Sequence, residues 1–236
     1  MSDGAVAVVA GVGPGLGLAV SNRFADAGCR VAMLARRADA LEAMAAARSD
    51  GRLLPFPCDV TEAEQVEETF ARIGRELGVP ECVVFNAGGW VRIPILDLDP
   101  ETFERSWRAG CFGGFLVGRA AARAMVPAGH GTILFTGATA SLRGGAGFAA
   151  FAAGKFGLRA VAQSMARELG PQGIHVAHVV IDGQIMSPRY ARLAAERGPD
   201  ALLDPAAIAE VYHQLHLQPR SAWTFELELR PWCERF

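Results

Sequence analysis

The chain alternates short apolar runs with segments whose apolar residues recur at helical spacing. Continuous apolar runs of this length are typical of buried strands, and Gly, Pro and Asp–Pro pairs mark where the intervening helices begin and end. The predicted strands are Ala5–Ala10, Arg30–Ala35, Leu53–Pro57, Cys82–Asn86, Thr132–Thr136, Ile174–Ile181 and Trp223–Leu229. The predicted helices are Gly15–Ala27, Ala38–Arg48, one from Thr61, Pro100–Val126, Phe148–Leu169 and one from Pro205.

Repeated strand–helix units with short connections indicate a parallel sheet that is covered by its helices. We therefore expect an α/β fold: a single-domain, Rossmann-type, doubly wound parallel sheet of about seven strands with helices on both faces, over residues 1–236. Thr61 and Glu64 are spaced as a capping box at the third helix. Ligands of such folds bind beyond the carboxyl ends of the strands. The loops after strands one, four, five and six are therefore expected to carry the chemistry.

Composition narrows the classes of function. The 236 residues are 51% hydrophobic with a formal net charge of −2, which excludes a disordered chain and leaves no basic surplus for nucleic acid. No apolar stretch has the roughly 20 uninterrupted residues of a membrane span, and Met1–Asp3 lack the basic start of a signal peptide. The odd number of cysteines and the lack of a C-x-x-C pair predict reduced thiols in a cytoplasmic protein: Cys29, Cys58, Cys82, Cys111 and Cys233.

The histidines do not predict a metal site. His213 and His216 lie one helical turn apart but have no third ligand at a useful spacing, so we interpret them as surface histidines. His175 and His178 lie three residues apart in a predicted strand and therefore point to opposite faces. We expect no bound metal.

A glycine-rich loop follows the first strand and opens the first helix. Its spacing, G-x-x-x-G-x-G, permits a tight turn and a close approach of the backbone to phosphate, and the helix N-terminus offers free N–H groups. The alternative is that the glycines only pack the helix against the strand. In this strand–loop–helix context we favour dinucleotide binding by Gly11, Gly13, Pro14, Gly15, Leu16 and Gly17.

The residues after the second strand bear on which dinucleotide binds. An acidic residue there would hydrogen-bond a ribose 2′-hydroxyl, whereas this strand is followed by Arg36 and Arg37. Guanidinium groups suit a 2′-phosphate, although two solvated arginines at a helix start are the alternative. We therefore predict NADP as the cofactor, with NAD as the second choice.

These motifs, in this order, resemble the classical short-chain dehydrogenase/reductase family over the whole chain. The resemblance implies that Asp59 and Val60 hold the adenine and that the N-A-G motif is Asn86, Ala87 and Gly88. It places the active-site lysine at Lys155. It also implies cofactor contacts from the loop after the sixth strand, at Gly183, Ile185 and Ser187, although Asp182 stands where the family has proline.

The same resemblance shows that most of the catalytic groups are replaced. Phe151 stands where the family has its proton-donating Tyr, Ala138 where it has Ser, and Gly110 where it has Asn. Only Lys155 is kept. A phenyl ring donates no proton, and positioned acid–base groups contribute roughly 10²–10⁴ in rate. A substitute donor would have to be Ser141, Thr139, Tyr190 or a water held by Lys155.

Several residues predict the substrate side of the site and the assembly. Five residues at the predicted ligand end would form an apolar pocket with a cationic rim: Trp90, Arg92, Phe148, Phe151 and Tyr190. The alternative is that each aromatic residue simply packs in the protein interior. Residues 187–199 would form a mobile cover. The resemblance implies a homodimer or homotetramer through the helices Pro100–Val126 and Phe148–Leu169, and Ala120, Ala121 and Ala124 would permit close approach.

Three hypotheses about function follow. The first is an NADP-dependent oxidoreductase that acts on a small-molecule carbonyl or alcohol through a noncanonical active site. The second is an NADP-binding protein that has lost hydride transfer and serves as a sensor, scaffold or inactive subunit. The third, a lyase, isomerase or dehalogenase on the same scaffold, is disfavoured by the intact cofactor loop. The first is favoured narrowly over the second.

Overall fold

The structure, a computed structural model, describes residues 4–234. Residues 1–3 and 235–236 of the predicted domain, and the prediction about Met1–Asp3, lie outside the described residues. The strands are β1 (Val6–Ala10), β2 (Arg30–Ala35), β3 (Leu53–Pro57), β4 (Pro80–Phe85), β5 (Gly131–Thr136), β6 (Ile174–Ile181) and β7 (Glu226–Leu229). They form one sheet in the order β3-β2-β1-β4-β5-β6-β7, with every neighbouring pair parallel. The order reverses between β1 and β4, so the predicted doubly wound fold is confirmed.

Helices cover both faces of this sheet. They are α1 (Leu16–Asp26), α2 (Ala38–Ala46), α3 (Ala63–Glu76), α4 (Pro100–Trp107), α5 (Gly113–Met125), α6 (Ala149–Leu169), α7 (Ala191–Arg197) and α8 (Pro205–His216). The predicted long helix from Pro100 is interrupted by a π-helical turn, Arg108–Phe112, between α4 and α5. The last strand begins at Glu226 rather than at Trp223. Helix α7 lies inside the segment that was predicted to be a mobile cover.

Strand β1 shows why its sequence is apolar throughout. Val6, Val8 and Ala10 belong to one buried cluster with residues of α3, α5 and α6, while Ala7 and Val9 belong to another with residues of α1, α2 and α8. Successive side chains of a strand point to opposite faces, and here both faces are covered. The continuous apolar run therefore fixes a central position in the sheet.

The helix starts confirm two predicted caps and correct a third. Asp99 Oδ1 accepts a hydrogen bond from Thr102 N at 2.7 Å, and Asp204 Oδ1 accepts one from Ala206 N at 3.0 Å. The predicted capping box of Thr61 and Glu64 is wrong. Helix α3 begins at Ala63 after Glu62, because the Thr61 hydroxyl instead donates to Asp59 Oδ1 at 2.8 Å. The nearer acceptor holds this hydroxyl in the preceding turn.

Two predictions about surface residues are also wrong. His213 is buried because α8 packs on α1, where its ring meets Phe24 edge-on at 5.6 Å, and the His216 ring contacts Phe24 and Thr132. Ala120 and Ala121 are buried in the chain's own core beneath α5 and so present no surface to a partner. Both errors arise because helical spacing alone does not say which stripe of a helix faces its own sheet.

Candidate functional site

The glycine loop contains two kinds of glycine. Gly11 has φ +91°, and a Cβ atom there would lie 2.4 Å from Ala87 N. A Cβ atom at Gly17 would lie 2.7 Å from Gly11 O. A Cβ atom at Gly13 or Gly15 would meet no heavy atom within 4 Å. Gly11 and Gly17 therefore let backbone segments pack together, whereas Gly13 and Gly15 face open space at the N-terminus of α1, where a bound phosphate would meet free N–H groups.

Neighbouring strands hold this loop in place. Asn86 Nδ2 donates to Gly11 O at 3.1 Å, and the N–H groups of Gly11 and Val12 both donate to Leu34 O, at 2.9 and 3.0 Å. The loop is therefore tied to the ends of both β2 and β4. Asn86 from the N-A-G motif thus has a structural contact of its own, independent of any ligand.

Arg36 and Arg37 follow β2 directly beside this loop. Both are exposed, and within the described residues neither forms an ion pair. Arg37 is the residue before the first turn of α2. Two exposed cations beside the glycine loop are suited to a phosphate ligand, because no carboxylate of the described residues neutralises them.

Asp59 and Val60 lie in the loop between β3 and α3. Asp59 Oδ1 accepts hydrogen bonds from the backbone N–H and the hydroxyl of Thr61, at 3.0 and 2.8 Å. Val60 is buried and packs close to Gly113: a Cβ atom added at Gly113 would lie 3.1 Å from Val60 Cγ2. The loop is thus held in a fixed shape before α3. This is what a loop that contacts an adenine ring requires.

A cavity of about 700 Å³ lies at the carboxyl ends of the strands. Leu16, Asn86 and Gly88 line it on the side of the glycine loop. On the other side it is lined by residues after β5 and β6 and by the first turns of α6, among them Ala138, Phe151, Lys155, Gly183 and Ile185. Ser187 is half-buried and, within the described residues, is not part of this lining. The structure therefore brings six of the predicted site residues to this opening: Leu16, Asn86, Gly88, Lys155, Gly183 and Ile185.

Lys155 is the only cation of the predicted catalytic set. It is 5% exposed, its Nζ donates to Thr136 O at 2.8 Å, and burial lowers its pKa to about 8. Its Nζ lies 5.9 Å from the centre of the Phe151 ring. Within the described residues, no carboxylate is within ion-pair distance of it. The amine is therefore a hydrogen-bond donor at the floor of the cavity, easily converted to its neutral form.

Two of the three replaced positions lie around the same cavity as this lysine, as the resemblance implies. Phe151 and Ala138 line the cavity. Gly110 does not line it: it lies in the π-helical turn, where a Cβ atom would be 3.5 Å from Gly154 Cα. Gly110 and Gly154 thus allow the turn and α6 to cross at close range. The aromatic and methyl side chains near Lys155 supply no polar hydrogen.

The structure separates the candidate substitute donors. Ser141 is fully buried, and its Oγ accepts a hydrogen bond from Ala138 N at 3.1 Å, so it faces the backbone rather than the cavity. Tyr190 contacts Arg189, and it is not among the described residues that line the cavity. Thr139 does line the cavity, and its hydroxyl donates to Asp182 Oδ1. Of the three side chains, only Thr139 reaches the cavity.

An aromatic wall borders the cavity opposite the glycine loop. The rings of Trp90 and Phe148 meet edge-on at 5.8 Å, and those of Phe148 and Phe151 lie 6.5 Å apart. The guanidinium of Arg92 lies 5.5 Å from the Phe148 ring centre. The interpretation as an apolar pocket thus holds for Trp90, Phe148 and Phe151, which line the cavity; Arg92 contacts Phe148 from outside the described lining, and Tyr190 is not part of it.

Sequence reasoning missed several charged residues of the site. Asp182, Arg143, Arg197 and Glu234 all line the cavity. Arg230 lies 3.2 Å from Asp182 Oδ2. The sequence marked only Asp182 as unusual, because it stands where the short-chain dehydrogenase/reductase family has a proline. Arg143 comes from a loop, Arg197 from the end of α7 and Glu234 from the last described residues, and none of them lies in a motif. Within the described residues, neither a group of potential metal ligands nor a helix able to cross a membrane is present.

Comparison with known proteins extends these observations. A family model described as short chain dehydrogenase matches residues 5–194. The cis-1,2-dihydrobenzene-1,2-diol dehydrogenase of Pseudomonas putida is 34% identical over 176 residues, which cover 72% of this chain and 63% of that enzyme. The chain therefore matches less than two thirds of that relative's length.

Two solved structures are similar over almost the full chain. The short-chain dehydrogenase from Rhodopseudomonas palustris is 40% identical, with a TM-score of 0.84 and coverage of 98% of this chain and 100% of that one. A metagenomic short-chain oxidoreductase in complex with NADP is 27% identical, with a TM-score of 0.83 and coverage of 98% and 99%.

Proposed function

We propose that this chain, which belongs to the short-chain dehydrogenase family, is an NADP(H)-binding oxidoreductase that acts on an alcohol or carbonyl substrate through a noncanonical active site. The observation that carries this proposal is the cavity of about 700 Å³ whose lining includes both Leu16 and Asn86 on the glycine-loop side and Lys155 and Phe151. A dinucleotide and a small organic molecule would share such a space. The bound nicotinamide would supply or accept the hydride.

The residues present fit a dinucleotide. The open space in front of Gly13 and Gly15 would take the pyrophosphate, which would accept hydrogen bonds from the first N–H groups of α1. Lys155 would hold the nicotinamide ribose, and Gly183 and Ile185 would border the nicotinamide ring. The complex of the metagenomic relative with NADP supports this assignment by analogy.

The preference for NADP over NAD rests on Arg36 and Arg37. Both side chains are exposed beside the glycine loop, and no carboxylate of the described residues pairs with them. They would form charge-assisted hydrogen bonds with a 2′-phosphate. An acidic residue that would select a 2′-hydroxyl is missing from these two positions.

The second candidate is an NADP-binding protein without hydride transfer. Phe151, Ala138 and Gly110 favour it, because none of these side chains can polarise a carbonyl oxygen. The pair Thr139 and Asp182 favours the oxidoreductase, since it places a polar group on the cavity wall. The two candidates differ in whether bound NADPH is ever consumed.

The proposal extends to assembly and location. Exposed aromatic side chains on α4, α5 and α6 support a homodimer or homotetramer through these helices: Phe103, Trp107, Phe115 and Phe156. Such a cluster on a surface is typical of a contact with another subunit. A cytoplasmic location is supported by five cysteines that are all free thiols.

One experiment tests the proposed function. Purified protein is titrated with NADPH and with NADH, and binding is followed by the fluorescence of the reduced nicotinamide. The complex is then mixed with panels of alcohols and ketones, and the nicotinamide absorbance is recorded in both directions. We expect NADPH to bind more tightly than NADH and at least one panel member to be turned over. Absence of binding contradicts the whole proposal, and binding without turnover favours the second candidate.

A further inference from the structure

Asp182 is a buried carboxylate at the ligand end of β6. It is 5% exposed and still lines the cavity. Its Oδ1 accepts a hydrogen bond from the Thr139 hydroxyl, and its Oδ2 lies 3.2 Å from Arg230 Nη2. Burying a charged carboxylate is costly unless it is paired, so these two contacts define its state. The guanidinium balances the charge of the carboxylate, and a carboxylate can only accept the threonine hydrogen.

The position of this pair matters for the chemistry. Thr139 follows Ala138, which stands at the family's serine position, and Gly183, which follows Asp182, also lines the cavity. The hydroxyl and the carboxylate therefore lie on the two loops that border the expected nicotinamide site. Because the Thr139 hydrogen points to Asp182, the lone pairs of its oxygen remain available to accept a hydrogen bond from a ligand.

Resting on the proposed function, we propose that Thr139 and Asp182 form a proton relay that accepts the hydroxyl proton of an alcohol substrate during its oxidation. The O–H proton of the alcohol passes to Thr139 Oγ1 as the hydrogen of Thr139 passes to Asp182. A bound oxidised nicotinamide dinucleotide would take up the C–H hydride, so that the products would be a carbonyl compound, a reduced dinucleotide and a protonated Asp182. Thr139 is the catalytic residue, and Asp182 acts through it.

The surrounding charges suit this direction of reaction. Arg230 also pairs with Glu228, so its charge is not devoted to Asp182 alone. The other charged groups on the cavity wall are Lys155, Arg143, Arg197 and Glu234. The aromatic wall of Trp90, Phe148 and Phe151 favours a secondary alcohol that carries an apolar ring.

Three variants test the relay. Asp182→Asn keeps an acceptor for the Thr139 hydrogen but takes up no proton near neutral pH. Thr139→Val removes the hydroxyl at similar volume, and Thr139→Ser restores it. Oxidation of phenylethanol, cyclohexanol and indanol with NADP⁺ is measured across pH. NADP⁺ affinity and thermal unfolding are measured in parallel as readouts that do not depend on turnover.

We expect kcat to fall by about 10²-fold or more in Asp182→Asn and Thr139→Val, the scale of a positioned acid–base group, and to recover largely in Thr139→Ser. The acid limb of the parent's pH profile should disappear in Asp182→Asn. Over the pH range of this acid limb, the parent should show the infrared carbonyl band of a protonated carboxyl group. Asp182→Asn should lack this band. NADP⁺ affinity should stay within about twofold.

Each other outcome contradicts the relay. If the parent oxidises an alcohol and a folded Asp182→Asn variant keeps its kcat and its acid limb, the relay is wrong and the proposed function stands. If Asp182→Asn does not fold, an active Thr139→Val variant with the parent's pH profile overturns the relay in the same way. If the parent binds no NADP⁺, or oxidises no alcohol on the panel, the relay fails together with the corresponding part of the proposed function.

Discussion

The cofactor side and the acid–base side of the cavity are built from different parts of the chain. On the cofactor side, the decisive contacts are backbone contacts: Gly11 against Ala87, and Gly17 against Gly11. On the acid–base side, the groups that would act are side chains, and Phe151 and Ala138 are apolar. The cofactor side keeps the glycine loop and the N-A-G motif of the resembling family, with Asp182 in place of its proline, whereas the acid–base side keeps only Lys155.

This difference shows how a fold can lose one function and keep another. Backbone contacts at Gly11 and Gly17 hold the loop to β2 and β4, so substituting these glycines would disturb the fold as well as the ligand. Substituting a cavity-lining side chain such as that at position 151 changes the chemical groups of the cavity without touching these backbone contacts. Fold stability therefore favours keeping Gly11 and Gly17, whereas it places no such demand on Gly13, Gly15 or the apolar acid–base side.

On the cofactor side of the cavity, the largest effect is expected at Gly15. In Gly15→Val, a branched side chain enters the open space in front of α1, so NADPH binding should weaken at least about 100-fold, or about 2.8 kcal/mol. Thermal unfolding should change far less, because a Cβ atom there meets no protein atom within 4 Å. Fluorescence titration and a melting curve measure the two effects.

Two matched variants control this prediction. Gly17→Val should instead lower the melting temperature strongly, because its Cβ atom would lie 2.7 Å from Gly11 O. Gly74→Val, on α3, also meets open space and should leave NADPH affinity unchanged. A folded Gly15→Val protein with the parent's affinity for NADPH would show that this loop does not bind the pyrophosphate.

A smaller effect is expected at the arginines beside the loop. Arg36→Ala or Arg37→Ala should weaken NADPH binding about tenfold, the scale of one charge-assisted hydrogen bond, and leave NADH binding nearly unchanged. Arg75→Ala, an exposed arginine of α3, is the matched control. Parallel titrations with the two cofactors measure the ratio. Equal affinity of the parent for NADPH and NADH would mean that neither arginine recognises the phosphate.

The smallest effect concerns the buried ammonium of Lys155. Burial lowers its pKa to about 8, below the ordinary value of 10.5 that applies in the unfolded chain. Between these two values the unfolded chain binds the extra proton, so the free energy of unfolding should rise with pH, by at most about 1.4 kcal/mol per unit. Denaturant unfolding of the parent and of Lys155→Met at several pH values measures this slope. A parent without an upward slope relative to Lys155→Met would contradict the burial of a titrating ammonium.

The fold was largely predictable because its signals are local. The apolar runs of β1 and β6, and the Asp–Pro starts of α4 and α8, are properties of adjacent residues. The π-helical turn at Arg108–Phe112 was not predictable, since it depends on how close Gly110 comes to Gly154 of α6. The burial of Ala121 likewise depends on which face of α5 meets the sheet.

The site was predictable where a family motif marks it and, for Trp90 and Phe148, where an aromatic residue lies near the carboxyl end of a strand. Lys155 and Asn86 lie in such motifs and line the cavity. The contact of Thr139 with Asp182 joins residues 43 positions apart, and Arg230 is added to them from beyond β7. No spacing rule relates residues on separate loops, because their meeting is decided by the order of the strands.

The cofactor side carries the glycine loop of the family, while Phe151 on the acid–base side cannot donate the proton that the family's Tyr donates. The most direct test measures NADPH affinity and ketone reduction in the parent and in the triple variant Gly110→Asn, Ala138→Ser and Phe151→Tyr. A phenol beside the Lys155 ammonium can donate a proton to the developing alkoxide, so reduction should rise at least about tenfold, mostly in kcat. NADPH affinity should stay within about twofold. A folded triple variant that binds NADPH as the parent does but reduces ketones no faster would contradict the account.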